Sequence, residues 1–237
     1  MDLGTQLDHI RSDSDAVLAA WRADPTAPVP CCPGWDRTAL LAHLGRTQEW
    51  VRLQAERGPD ERVRFGETAK APAGDAMAAW FAEGATALVD ALISMDLALT
   101  WPTWAGPQPG TFYPRRMTQE TAMHRRDADP VPFDPELAVD GVDELLELFA
   151  PLTPGDKLAD HPGSIHLHAT DADGEWLVHL TPGGVRFEHG HAKGDVALRG
   201  TAGDLLLWGW NRVPVDDRFE VFGDTSLLEV WRTAVAI

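Results

Sequence analysis

The chain has 237 residues, with 20 Lys plus Arg against 37 Asp plus Glu, a formal charge of −17. Hydrophobic residues make up 44% and charged ones 24%, which excludes a disordered chain and allows one large domain or two small ones. So acidic a chain also excludes nucleic acid or an anionic membrane as the main partner, since both are polyanions.

The opening segment, MDLGTQLDHIRSDSD, has neither the basic nor the apolar region of a signal peptide, and no apolar run reads as a membrane span. Residues 3–23 carry Leu3, Leu7, Ile10, Val17, Leu18 and Trp21 at helical spacing. A Pro-rich connection, 24–35, contains the adjacent pair Cys31 and Cys32. Adjacent cysteines rarely bridge, so they read as loop thiols in a reducing cytosol, with a catalytic thiol as the lesser alternative. Asp36 is a plausible N-cap for a second helix to about residue 57, whose apolar face holds Leu40, Leu44, Thr47 and Val51. A charged loop covers 56–74 and a third helix 75–98. Pro and Gly crowd 100–110, which is expected to be irregular. Pro114 suits the first turn of a fourth helix running to about Ala128, and a fifth helix is expected over 135–152.

After residue 153 the period changes. SIHLHAT, EWLVHLT, GVRFEHG and DVALRGT alternate like strands and are parted by Gly-containing turns. A helical AGDLLLWGWN, a last strand RFEVFGD and a last helix TSLLEVWRTAV follow. The expected class is α+β: a helical domain in 1–150, then a small α+β domain with an antiparallel sheet in 151–237.

Three residues of the helical half could carry chemistry. Glu120 and His124 are four apart and project from one helix face, and His43 should point inward from the second helix. Two imidazoles and a carboxylate from facing helices form a known kind of zinc site, with a coordination position left for water or substrate. The same residues also read as a core histidine and a surface i, i+4 pair, and spacing alone does not decide. Asp127, three residues after His124, can fix a ligand imidazole from behind, cap the helix, or pair with Arg115 or Arg116. His161, His166, His168, His179, His189 and His191 give a compositional hint of metal binding, but the sequence does not supply their register.

Three segments resemble one known family. CPGWDRTALLAHLGRTQEWV (32–51), FYPRRMTQETAMHRRDAD (112–129) and VALRGTAGDLLLWGWNRVPVDDRFEVFGDTSLLEVW (196–231) are similar, in order, to motifs of the mycothiol-dependent maleylpyruvate isomerase-like family. That resemblance implies a DinB-like, metal-binding, up-down four-helix bundle followed by a sterol-carrier-like domain. It implies His43, Glu120 and His124 as ligands of a divalent ion, usually zinc, and mycothiol as the thiol cosubstrate. It further implies Arg212 as a catalytic arginine able to hold a carboxylate. The chain departs from the family pattern by an extra Trp210-Asn211 before that arginine.

On this reading a small electrophile is isomerised or S-conjugated by an activated thiolate. Arg116, Trp101 and Trp104 are expected to contact substrate. The location expected is the cytoplasm, as a monomer or homodimer. Two other classes remain open: a non-enzymatic binder of a small apolar molecule, and a metal-bound stress or regulatory protein without turnover. The 10 Trp, against 1 Tyr and 8 Phe, read as packing around a bundle mouth and a domain junction.

Overall fold

The computed structural model describes residues 1–235. They fall into two units, Met1–Val131 and the chain from Pro132 onward.

Four helices build the first unit: α1 (Leu3–Ala23), α2 (Arg37–Arg57), α3 (Ala76–Ser94) and α4 (Phe112–Ala128). Short polar side chains start the first two. Asp2 accepts from Thr5 N and Asp36 from Ala39 N, both at 2.8 Å, which satisfies amides that a helix start leaves unpaired. Pro114 lies in the first turn of α4, where its missing N–H costs nothing. Pairwise packing of α1 on α4 and α2 on α3, with α1–α3 and α2–α4 contacts, makes the bundle. Its core includes Val17, Leu18, Leu40, Leu41, Leu44, Met77 and Phe81. Close approach of α2 and α3 depends on Gly45, where a Cβ would meet the Trp80 ring at 2.5 Å. By length and composition alone α3 meets the requirement for a membrane span, contrary to the sequence expectation; Met77, Phe81, Leu88, Val89 and Leu92 are buried within the bundle.

The stretch expected to be irregular is a hairpin of β1 (Thr100–Thr103) and β2 (Gly106–Pro109). Pro102 stands opposite Pro107, so neither can donate to the ladder. A two-stranded ribbon tolerates this because it has no central strand.

The second unit opens with α5 (Pro135–Glu144), capped by Asp134 and started by Pro135. The helix widens into a π-type turn over Leu145–Phe149 and tightens at Ala150–Leu152, so the expected span of 135–152 is right in extent but not uniform. Because α5 packs on α6 of this unit, the chain divides near 131 rather than at 150.

Strands β3 (Gly163–Ala169), β4 (Glu175–Thr181), β5 (Gly184–His189), β6 (Val196–Gly200) and β7 (Glu220–Gly223) form one sheet in the order β5-β4-β3-β6-β7. The chain leaving β5 crosses back to the start of β3, where Asp195 N donates to Ser164 O, so β6, laid against the other side of β3, is parallel to it. The other three seams are antiparallel, which makes the sheet mixed rather than antiparallel throughout. Helices α6 (Ala202–Gly209) and α7 (Ser226–Ala234) contact β3. By the period of two, Ile165, Leu167, Trp176, Val178, Val196 and Leu198 share the apolar face. Trp208 and Trp231 stack at 5.4 Å, and the Trp231 indole donates to Gly209 O at 3.0 Å. Trp210-Asn211 ends α6: Asn211 takes φ 56°, and Asn211 N and Arg212 N donate back to Trp208 O and Leu207 O.

Candidate metal centre

His43 projects from α2 toward α4, which presents Glu120 and His124 one turn apart. Glu120 Oε1 lies 3.2 Å from His43 Nε2 and 3.4 Å from His124 Nε2. One ligand atom from each of the three residues falls within 4.8 Å of the others. The imidazoles meet edge to face with ring centroids 4.9 Å apart, and Trp35 covers both, at 5.0 Å from His43 and 6.3 Å from His124. Exposure is uneven: the His43 side chain is 36% exposed, Glu120 19% and His124 8%. The cluster is therefore walled on the α4 side and open beside His43.

A supporting layer orients these groups. Arg116, one turn before Glu120 on α4, donates to Glu120 Oε2 at 3.0 Å, which turns Oε1 toward the imidazoles. Arg116, expected to contact substrate, has a side chain only 6% exposed and engaged with the Glu120 carboxylate. Behind His124, Asp127 Oδ2 lies 3.0 Å from Nδ1. Of the roles left open for Asp127, this geometry matches the one that holds the imidazole and leaves Nε2 directed into the cluster. The bond also favours the tautomer with a proton on Nδ1, the usual arrangement behind a ligating histidine.

Cys31 Sγ donates to Asp127 Oδ1 at 3.0 Å, and Cys32 Sγ to Oδ2 at 3.6 Å. Hydrogen bonding with Cys32, burial and the Asp127 carboxylate push the Cys31 thiol well above the usual thiol range. A thiol held neutral is a poor nucleophile, which argues against the catalytic-thiol alternative for Cys31. Trp35 and the cysteines were not picked out from the sequence as parts of this centre. Cys31 and Asp127 are separated by 96 positions, so no local pattern signals their contact.

Titration follows from the same contacts. Burial pushes Glu120 up, but the hydrogen bonds from His124 and His43 and the Arg116 charge outweigh it and hold the carboxyl well below its ordinary range. Burial pushes His124 down, yet Asp127 and Glu120 raise it to about 9. Two imidazole nitrogens and a carboxylate oxygen are a donor set suited to a divalent transition ion. A site of three protein ligands keeps a coordination position for a further ligand.

The other expected contacts lie outside this cluster of side chains. Trp101 is 3% exposed and its indole donates to Asp96 O at 2.9 Å, so it packs inside the first unit rather than lining an opening. Trp104 is half-buried against Phe112 at 6.3 Å. Arg212, in the second unit, donates from Nη1 to Trp210 O at 3.3 Å.

Comparison with known proteins identifies the relatives of this arrangement. The sequence matches the Mycothiol maleylpyruvate isomerase N-terminal domain over residues 7–129 and the MDMPI C-terminal domain over 136–229. The chain belongs to the mycothiol maleylpyruvate isomerase family. Similar solved structures include a crystal structure of the mycothiol-dependent maleylpyruvate isomerase, with 12% identity, 93% of each chain covered and a TM-score of 0.58. A histidine-to-alanine mutant of that enzyme matches at 11% identity, 93% coverage of both chains and a TM-score of 0.64. At that identity the likeness concerns the fold. No curated protein sequence matches significantly.

Proposed function

We propose that this protein is a divalent-metal-dependent enzyme, with zinc as its metal. It uses mycothiol to isomerise or S-conjugate a small electrophile in the cytoplasm. The observation that carries the reading is the convergence of His43, Glu120 and His124 on one point, in a member of this family.

A divalent ion held by these three side chains lowers the pKa of a thiol presented to it and so supplies a nucleophile near neutral pH. The protein's own residues set the geometry. Arg116 fixes Glu120, Asp127 fixes the His124 ring, and Trp35 shields both imidazoles from one side. His43, the most exposed of the three, borders the side from which thiol and substrate enter. Arg212 is proposed to hold a carboxylate of substrate or thiol, and Trp104 to contact the substrate. Addition of the thiol sulfur to an activated cis double bond, rotation about the resulting single bond and expulsion of the same thiol isomerises the substrate without consuming the thiol. Where no expulsion follows, the product is the S-conjugate.

The test is metal content by inductively coupled plasma mass spectrometry, alongside thiol-dependent consumption of a maleyl electrophile. Wild type is expected to hold one ion at this centre and to consume the electrophile, whereas His43→Ala and His124→Ala lose both properties. Thiol-dependent turnover that persists unchanged in folded ligand variants that have lost the ion at this centre would overturn the proposal.

A further inference from the structure

A second cluster lies on the polar face of the β-sheet, within the second unit and outside the centre described above. His166 and His168 are two apart on β3 and so share a face, and Glu175 is the cross-strand partner of His168 on β4. Gly190 N donates to Glu175 O at 3.0 Å, which carries the chain leaving β5 past Glu175 and sets His191 beside it. Glu175 Oε2 is 3.0 Å from His166 Nε2 and 2.8 Å from His191 Nδ1, and Oε1 is 2.9 Å from His168 Nδ1. One donor atom from each of the four residues lies within 4.8 Å of all the others. Two other C-terminal histidines pair elsewhere: His179 faces Glu188 at 3.1 Å and His189 faces Asp143 at 3.6 Å.

We propose that His166, His168, Glu175 and His191 form a second metal site, which takes a divalent transition ion of the zinc class. Three imidazoles and one carboxylate supply the four protein ligands that close a tetrahedral coordination sphere. In a tetrahedral site with bonds of about 2.0–2.1 Å, ligand atoms stand about 3.3 Å apart, so closing a set already within 4.8 Å lies within reach of side-chain rotation. The imidazole majority selects zinc, nickel, copper or cobalt over magnesium and calcium, which require oxygen ligands. Arg199, the β6 neighbour of His168, is neutralised by Glu220 at 2.6 Å and leaves the face acceptable to a cation. Exposure runs from 7% at the His166 side chain, through 26% at His168 and 24% at Glu175, to 80% at His191. Three donors are thus held by the sheet, and the fourth, on the segment after β5, closes over the ion from solvent. Binding ties that segment to β3 and β4, so the site acts on the stability of the second unit rather than on turnover.

The proposal is independent of the proposed function, and zinc stoichiometry of the full chain separates them. Wild type is expected to bind two zinc ions after exhaustive dialysis. His191→Ala, a change at an exposed side chain, should retain one and lower affinity at the second site at least tenfold. His43→Ala should also retain one ion. In that variant cobalt(II) should still give the visible absorption of a tetrahedral site, and further substitution of His168 and His191 should abolish it. Millimolar magnesium should not displace the cobalt. If wild type binds a single zinc that His43→Ala removes and His191→Ala leaves, the second site is refuted and the proposed function stands. If the single zinc is lost in His191→Ala and kept in His43→Ala, the second site stands and the metal-dependent function fails. A wild-type protein that binds neither zinc nor cobalt refutes both, and the cluster is then a hydrogen-bonded one only.

Discussion

Asp127→Asn is the sharpest perturbation of the proposed centre, because it removes one charge and almost no volume. Asp127 has a side chain only 1% exposed and faces the His124 ring at 3.0 Å, so no water can replace the lost interaction. A hydrogen bond to a charged group contributes about 1.5–3 kcal/mol and a neutral one about 0.5–1.5 kcal/mol, so the substitution should weaken the hold on the ring by roughly 1–1.5 kcal/mol. At about 1.4 kcal/mol per factor of ten, zinc affinity should fall roughly tenfold. That is the lower end of the 10- to 100-fold range that such supporting partners command. The amide can still accept from one thiol, so Cys31 and Cys32 need not be displaced. The assay is competition with a chromophoric chelator near neutral pH, with circular dichroism to show that the bundle is intact and with His191→Ala as background to remove the sheet site. Affinity within twofold of wild type, in a folded variant, would refute the role assigned to Asp127.

Other predictions concern charge, pH and packing. Arg116→Met leaves Glu120 Oε2 without its guanidinium partner and lets the carboxylate swing; zinc affinity should drop 10- to 100-fold, as read in the same competition assay. In metal-free protein the folded His124 titrates near 9 instead of 6.5. Its stabilisation is therefore fully present below about pH 6.5 and lost as pH rises through about 9, a change of about 3 kcal/mol. Urea denaturation of the metal-free protein should show this decline, and His124→Gln should flatten it; an equally steep decline in the variant would disprove the assignment. Trp176, fully buried in the second unit, donates from its indole to Asp143 at 2.6 Å. Trp176→Ala should destabilise that unit by about 3–5 kcal/mol, seen as a lower denaturation midpoint for its transition.

What the sequence made legible was local. The Asp36 cap, the inward face of α2 and the four-residue step from Glu120 to His124 all follow from a helical period, so the three candidate ligands could be chosen before their meeting was observed. Arg116 shows the limit of that approach. It stands four residues before Glu120, the same spacing as Glu120 to His124, yet assigning it to substrate required knowing which way it turned. The β1–β2 hairpin was hidden because its prolines argue against strands, and only the absence of a neighbouring strand makes them acceptable there. The parallel seam between β3 and β6 was equally hidden, since alternation reports faces and not partners. The same gap concealed the histidine cluster: His166 and His168 are visibly on one face, but Glu175 and His191 join them only through cross-strand register.

Electrostatics relates the acidic chain to a centre proposed to hold a cation. Glu120 and Asp127 bring two negative charges, which Arg116 and a protonated His124 balance, so the metal-free cluster is close to neutral despite a chain charge of −17. Such balance is the state in which a buried group of carboxylates and bases can persist without a metal, because each charge has a partner within hydrogen-bond reach. A divalent ion at His43, Glu120 and His124 requires the His124 proton to leave, and the cluster then carries a net charge of about +1 by the same count. On a surface of the opposite sign, that makes the centre a local attractor for an anionic thiol or carboxylate. The Arg116 contact, which looks like neutralisation in the metal-free state, then has a second effect. By occupying Oε2 it would leave Glu120 a single oxygen for an ion, and with it a coordination position free for a thiol or substrate atom.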